Sequence, residues 1–102
     1  MKIIDLGLAC FLKADQPIKR AGTPGFIAPE ILNSETKETC NYGAKTDLYS
    51  IGIIHYCMLY GEHPFDADDA AGVYEKNKQG KILIRASGDT KKAEVDLLAS
   101  ML

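Results

Sequence analysis

The chain has 102 residues, 46% of them apolar and 25% charged, a composition ordinary for one small globular domain. Its net charge of −2 gives no electrostatic reason to expect nucleic acid or a membrane surface as a partner. The longest apolar run, Leu48 to Tyr60, contains Ser50 and His55 and is too short to span a bilayer, and no secretory leader is visible because Ile3 and Ile4 are followed at once by Asp5.

Residues 1–4 are rich in β-branched apolar side chains and read as a short strand. Residues 5–26 carry Gly7, Pro17, Gly22, Pro24 and Gly25 and read as a long loop, which in a compact domain is either functional or disordered. Ala28 to Leu32 fits one or two helical turns with Pro29 near the start. Asn33 to Thr46 is polar and reads as a surface loop. A long helix is expected over Ala44 to Tyr60, with Thr46 and Asp47 serving its first turn and Gly61 ending it. Leu48, Ile51, Ile53, Ile54, Tyr56, Met58 and Leu59 surround its axis instead of forming one stripe. A helix apolar all round belongs in the middle of a larger protein, and so small a domain would struggle to cover it.

His63, Pro64 and Phe65 form a turn. Asp66 to Gly80 reads as a further helix, capped by one of Asp66, Asp68 or Asp69 and stopped at Gly80. Lys81 to Asp89 reads as irregular. Thr90 to Leu102 is amphipathic, with Ala93, Leu97, Leu98, Met101 and Leu102 at helical spacing. The chain stops inside that helix with no cap and starts inside the expected first strand, so a piece of something longer is expected. Cys10, Cys40 and Cys57 make an odd set with no C-x-x-C spacing, which favours free thiols in a reducing compartment over a metal site or a disulfide framework. Cys10 lies close in sequence to the metal-ligand candidate described next, which leaves it a weak redox candidate.

The chemistry is carried by a series of short motifs. Gly22-Thr23-Pro24-Gly25-Phe26-Ile27-Ala28-Pro29-Glu30 closely resembles the end of the protein-kinase activation segment, the A-P-E region. Lys2-Ile3-Ile4-Asp5-Leu6-Gly7 resembles the strand and D-F-G motif that open that segment. Asp47-Leu48-Tyr49-Ser50-Ile51-Gly52 resembles D-x-W-S-x-G. Leu59-Tyr60-Gly61-Glu62-His63-Pro64-Phe65 resembles L-x-G-x-x-P-F, and Asp96-Leu97-Leu98-Ala99-Ser100-Met101-Leu102 resembles D-L-L-x-x-M-L. Each is weak alone; five in the right order are strong.

This resemblance implies a mainly α chain, a partial C-terminal lobe of the protein-kinase fold, with a short strand at its N-terminus and a long activation loop. Residues 1–102 would form a partial kinase domain, with the N-terminal lobe and the catalytic loop absent. The implied cofactors are ATP and Mg²⁺, and the implied partner is a protein substrate. Asp5 would contribute to the cofactor site as a Mg²⁺ ligand, since a hard cation takes oxygen donors. Read alone, Asp5 is first a strand-ending turn residue. Leu6 stands where the family has Phe, an apolar replacement for the residue whose packing sets the active and inactive positions, and Gly7 would give that switch its backbone freedom.

Thr23 resembles the family Thr that hydrogen-bonds near the catalytic Asp and helps to position the substrate hydroxyl. It is the main reason for expecting Ser/Thr specificity. Pro24, Gly25 and Phe26 would line the pocket for the substrate residue just past that hydroxyl, with plain core packing as the other account of Phe26. Glu30 resembles the Glu of a buried ion pair whose Arg follows the last helix of this chain; lacking it, Glu30 would protonate or stay wet. Asp47 resembles the helix-start Asp that accepts backbone N–H bonds from the catalytic loop, and also fits a helix dipole. Gly52 belongs to the same motif, in which Tyr49 replaces Trp.

The Gly-rich phosphate loop, the Lys that pairs with ATP, its Glu partner and the H-R-D loop do not occur in these residues. The A-P-E region and the stretch Glu75-Lys-Asn-Lys-Gln-Gly80 look most like calcium/calmodulin-dependent kinases, so a regulatory segment or a calcium sensor is the expected regulator, although no EF-hand loop or calmodulin-binding helix occurs. Cytoplasm is the default location. The other reading is a catalytically inactive, truncated or kinase-like polypeptide that acts as a protein-interaction module.

Overall fold

Two glycines and one aspartate set the ends of the longest elements. The computed structural model describes residues 2–11, 18–34, 39–40, 43–86 and 91–102. Its helices are α1 (Pro29–Leu32), α2 (Ala44–Tyr60), α3 (Ala70–Gln79) and α4 (Lys92–Met101), and a 3₁₀ turn covers Leu6–Leu8. Gly61 closes α2 at φ 70°, donating its N–H to the Cys57 carbonyl at 2.9 Å. Gly80 closes α3 at φ 64°. α3 starts at Ala70 because Asp69 is the aspartate that caps it, its carboxylate accepting the Gly72 N–H at 2.7 Å. Thr46 serves the first turn of α2 as a donor, its hydroxyl bonding the Gly43 carbonyl at 2.7 Å.

Two short strands pair antiparallel, β1 (Ile18–Lys19) and β2 (Thr39–Cys40), with Ile18 opposite Cys40 and Lys19 opposite Thr39. They fall inside segments that read as loops from sequence. The strand expected over residues 1–4 begins on Met1, outside the described residues; Lys2 to Ile4 are exposed and carry no regular structure.

The core forms where α1, α2 and the Phe65 turn meet. Ala28, Ile31, Tyr49, Ile53 and Phe65 make one buried cluster, with Ile27, Val73 and Leu102 packed on it. α2 lies against α4, and α1 against α3. Gly52 marks the α2–α4 crossing: a Cβ there would stand 2.9 Å from Leu102 Cδ2 and 3.0 Å from Met101 Cβ. The inward row of α4 is offset from the expected one. Leu98 is buried and Val95, Met101 and Leu102 are half-buried, whereas Ala93 and Leu97 face out. Both rows have helical spacing, and contact with α2 selects one of them. The apolar girdle of α2 divides in the same way: Tyr49, Ile53 and Tyr56 are buried, while Leu48, Ile51, Ile54 and Met58 are 49%, 44%, 42% and 72% exposed. Among the described residues, no helix is long and apolar enough to cross a membrane.

Candidate functional site

Thr23-Pro24-Gly25-Phe26 folds as a β-turn. The Phe26 N–H donates to the Thr23 carbonyl at 3.1 Å, and Gly25 sits at φ 93°. Pro in the second position and a positive-φ Gly in the third is the combination a type II turn needs. A side chain at Gly25 is also excluded by space, since a Cβ would fall 2.6 Å from the His63 ring. Thr23 and Pro24 are exposed, Gly25 is buried and Phe26 is half-buried.

The turn is held from two helices. Asn77 of α3 accepts the Gly25 N–H on Oδ1 at 2.9 Å and donates from Nδ2 to the Ile27 carbonyl at 2.9 Å. The same Nδ2 lies 3.4 Å from the Tyr49 hydroxyl. Burial raises that tyrosine's pKa to about 12, with the Asn77 bond opposing and Glu30 assisting the shift. Ser50 of α2 places its hydroxyl 2.8 Å from the Phe26 carbonyl and 3.2 Å from the Thr46 carbonyl, its single proton favouring the shorter. Upstream, the Arg20 guanidinium donates to the Tyr74 hydroxyl of α3, with Cζ 5.7 Å from the ring centroid.

His63 packs under the turn. Its ring meets Phe26 edge-on at 5.1 Å, and Nδ1 accepts the Phe65 N–H at 3.2 Å, which assigns the neutral ring's proton to Nε2. Nε2 is buried with no hydrogen-bond partner among the described residues. Burial pushes the imidazole below its usual range, and Asp66 pulls the other way.

A groove of about 440 Å³ runs beside the turn; Cys10, Thr23, Phe26, Thr46, Asp47 and Ser50 are among the residues that line it. Thr23 and Asp47, distant in sequence, therefore share one surface, and Asp47 is exposed there in the first turn of α2. Asp5 and Gly7 lie in the preceding 3₁₀ turn instead. Asp5 adopts φ 57° and accepts the Gly7 N–H on Oδ1 at 3.3 Å, with both residues exposed. Leu6 is 70% exposed. Glu30 is exposed in α1, and Gly52 is buried at the α2–α4 crossing, away from the groove. Cys10 and Cys57 are free thiols, and burial raises the pKa of Cys57. The side chain of Cys40 lies outside the described residues.

Among the described residues, no group of three acidic, His or Cys side chains could hold a metal alone. One exposed carboxylate suits a Mg²⁺ that arrives with phosphate and completes its shell from phosphate and water. Sequence reasoning missed Asn77, which sits among Lys, Glu and Gln and so reads as solvated. The available signal was its place four residues after Val73, on the same helical row.

Comparison with known proteins agrees with the motif order. The family described as "Protein kinase domain" matches residues 1–101. The chain is 40% identical over 77 residues to the "Probable serine/threonine-protein kinase 2" of Plasmodium falciparum (isolate K1 / Thailand), covering 76% of this chain and 14% of that protein. It is 37% identical over 75 residues to the calcium/calmodulin-dependent serine/threonine-protein kinase 1 of Oryza sativa subsp. japonica, covering 72% of this chain and 12% of that one. It is 35% identical over 83 residues to the calcium-dependent protein kinase 2 of Arabidopsis thaliana, covering 80% of this chain and 12% of that one. The chain thus spans between 12% and 14% of the length of these relatives. With the family match running over nearly every residue and the motifs in order, the chain belongs to the protein kinase domain family.

Proposed function

We propose that the chain supplies the metal-site aspartate, activation segment and substrate-docking region of a serine/threonine protein kinase, which moves the γ-phosphate of ATP to Ser or Thr hydroxyls of proteins. The observation that carries this reading is the Thr23–Phe26 turn: it is bonded by side chains of α2 and α3, and Thr23 shares a groove with Asp47. A turn fixed in this way can present Thr23 to a substrate hydroxyl, with Pro24, Gly25 and Phe26 receiving the residue that follows. Asp47 would accept N–H bonds from a catalytic loop seated in the groove. That loop, the Gly-rich loop and the ATP-pairing Lys are not among the 102 residues, so the complete enzyme would supply them. Asp5 would hold Mg²⁺, which neutralises charge on the phosphates during transfer. The names of the rice and Arabidopsis relatives support a calcium sensor or regulatory segment as the regulator, and cytoplasm is the proposed location.

The test is phosphate transfer by the full-length gene product, with Mg²⁺, ATP and peptides carrying Ser, Thr or Tyr. Transfer to Ser or Thr is expected. Asp5→Asn should cut kcat about a hundredfold or more, because charge stabilisation through a metal is worth several kcal/mol. Thr23→Val should cost about tenfold, the worth of one positioning hydrogen bond. Transfer to Tyr alone overturns the Ser/Thr assignment. No transfer by the full-length protein favours the second reading, an inactive interaction module, for which the exposed Leu48, Ile51, Ile54 and Met58 of α2 are the supporting observation.

A further inference from the structure

The amide of Asn77 is fully buried, with 0% of the residue exposed, in a helix whose Glu75, Lys76, Lys78 and Gln79 face water. Burying an amide is costly unless it is bonded, and Asn is a weak helix former. Nothing about α3 itself requires it, because both of its strong bonds leave the helix. Oδ1 takes the N–H of Gly25 and Nδ2 gives to the carbonyl of Ile27, the two residues flanking Phe26.

We propose that Asn77 is the positioning residue of the substrate-docking turn, fixing Gly25 and Ile27 so that Phe26 is held in one orientation toward the incoming peptide. What the turn docks rests on the kinase reading above; what holds it rests on geometry alone. The turn needs such a residue because it belongs to no ladder. Its Phe26 N–H is used within the turn and its Phe26 carbonyl meets Ser50, which leaves the Gly25 N–H and the Ile27 carbonyl to be satisfied from outside. One planar amide carries both the acceptor and the donor required. A leucine of similar size would fill the space and leave the buried Gly25 N–H and the part-buried Ile27 carbonyl unpaired. Tyr74, one turn earlier on the same row of α3, holds Arg20, so α3 grips the segment at two points.

The experiment uses the full-length protein carrying Asn77→Leu, with Asn77→Ala in parallel because it admits water and folds more readily. Amide hydrogen exchange at Gly25 and in α2 is measured beside steady-state kinetics. Gly25 should exchange about tenfold faster or more in both variants, the loss of one buried bond, with the α2 amides unchanged. The KM for peptide should rise about tenfold while kcat and the KM for ATP stay within about twofold. An unchanged Gly25 rate, an equal rise across α2, or a fall in kcat at constant peptide KM overturns the proposal. A wild-type protein without transfer overturns the kinase reading instead, and the exchange measurement still decides whether Asn77 holds the turn.

Discussion

Gly52→Ala sets two effects of opposite sign against each other. In an exposed helix, replacing Gly by Ala gains about 1 kcal/mol through propensity. Here the new Cβ would lie 2.9 Å from Leu102 Cδ2 and 3.0 Å from Met101 Cβ, whereas carbons sit comfortably at about 3.5–4.0 Å. The Leu102 methyl can rotate away. The Met101 Cβ is tied to the α4 backbone, so α4 itself must withdraw by several tenths of an ångström, loosening the fully buried Leu98. Overpacking of this kind costs about 1–3 kcal/mol, so the net change is a loss of about 0–2 kcal/mol. Near the middle of that range Tm falls by about 4–8 °C for a domain of this size. Urea denaturation of wild type and variant gives the difference directly, and amide exchange in α4 shows whether the loss is local. A variant more stable than wild type by about 1 kcal/mol would refute the packing of α4 against Gly52.

Acidification should weaken the fold through His63. Burial lowers its pKa in the folded state, so the unfolded chain binds the proton first, and stability falls as pH drops from about 6.5 towards that lowered value. Urea midpoints between about pH 7 and about pH 5.5 should fall for wild type and flatten for His63→Gln; equal slopes would remove His63 as the cause. The 102-residue chain alone should transfer no phosphate, because it contains neither an H-R-D loop nor a Gly-rich phosphate loop; radiolabel transfer abolished by Asp5→Ala would show otherwise. The kinase activity proposed for the full-length protein should survive phosphatase treatment as far as Leu8–Gly22 is concerned, since that window holds no Ser, Thr or Tyr and Arg20 already binds Tyr74. A loss traced by mass spectrometry to a modified residue in the window would sink this expectation, while one traced to Thr23 would leave it standing.

The ends of α2 and α3 were legible because Gly61 and Gly80 end helical patterns and adopt left-handed φ values that other residues resist. The Pro24-Gly25 pair likewise announces a turn. The start of α3 was less so, since three aspartates compete as caps and only the contact to Gly72 selects Asp69. The pairing of Ile18–Lys19 with Thr39–Cys40 had no signal, because two-residue strands are too short to show a period. Thr23, Phe26 and Asp47 were visible through motif order, but their shared groove depends on α2 folding back beside the turn. Asn77 stayed hidden because burial, unlike polarity, is a property of the packed chain.

The two side chains that hold the turn should not be equally important. Ser50 has one proton to divide between the Phe26 carbonyl at 2.8 Å and the Thr46 carbonyl at 3.2 Å, and its site is half-buried. Ser50→Ala leaves one carbonyl, that of Phe26, short of a donor where water can approach, at a cost of about 1 kcal/mol. Asn77 is fully buried, and its removal strands both a donor, the buried Gly25 N–H, and an acceptor, the part-buried Ile27 carbonyl. The buried unpaired Gly25 N–H alone costs about 1–3 kcal/mol, and the Ile27 carbonyl adds a smaller loss. The order of damage should therefore be Asn77→Leu above Ser50→Ala, both in urea midpoint and in exchange at Gly25. The reverse order would mean that α2, and not α3, sets the shape of the Thr23–Phe26 turn.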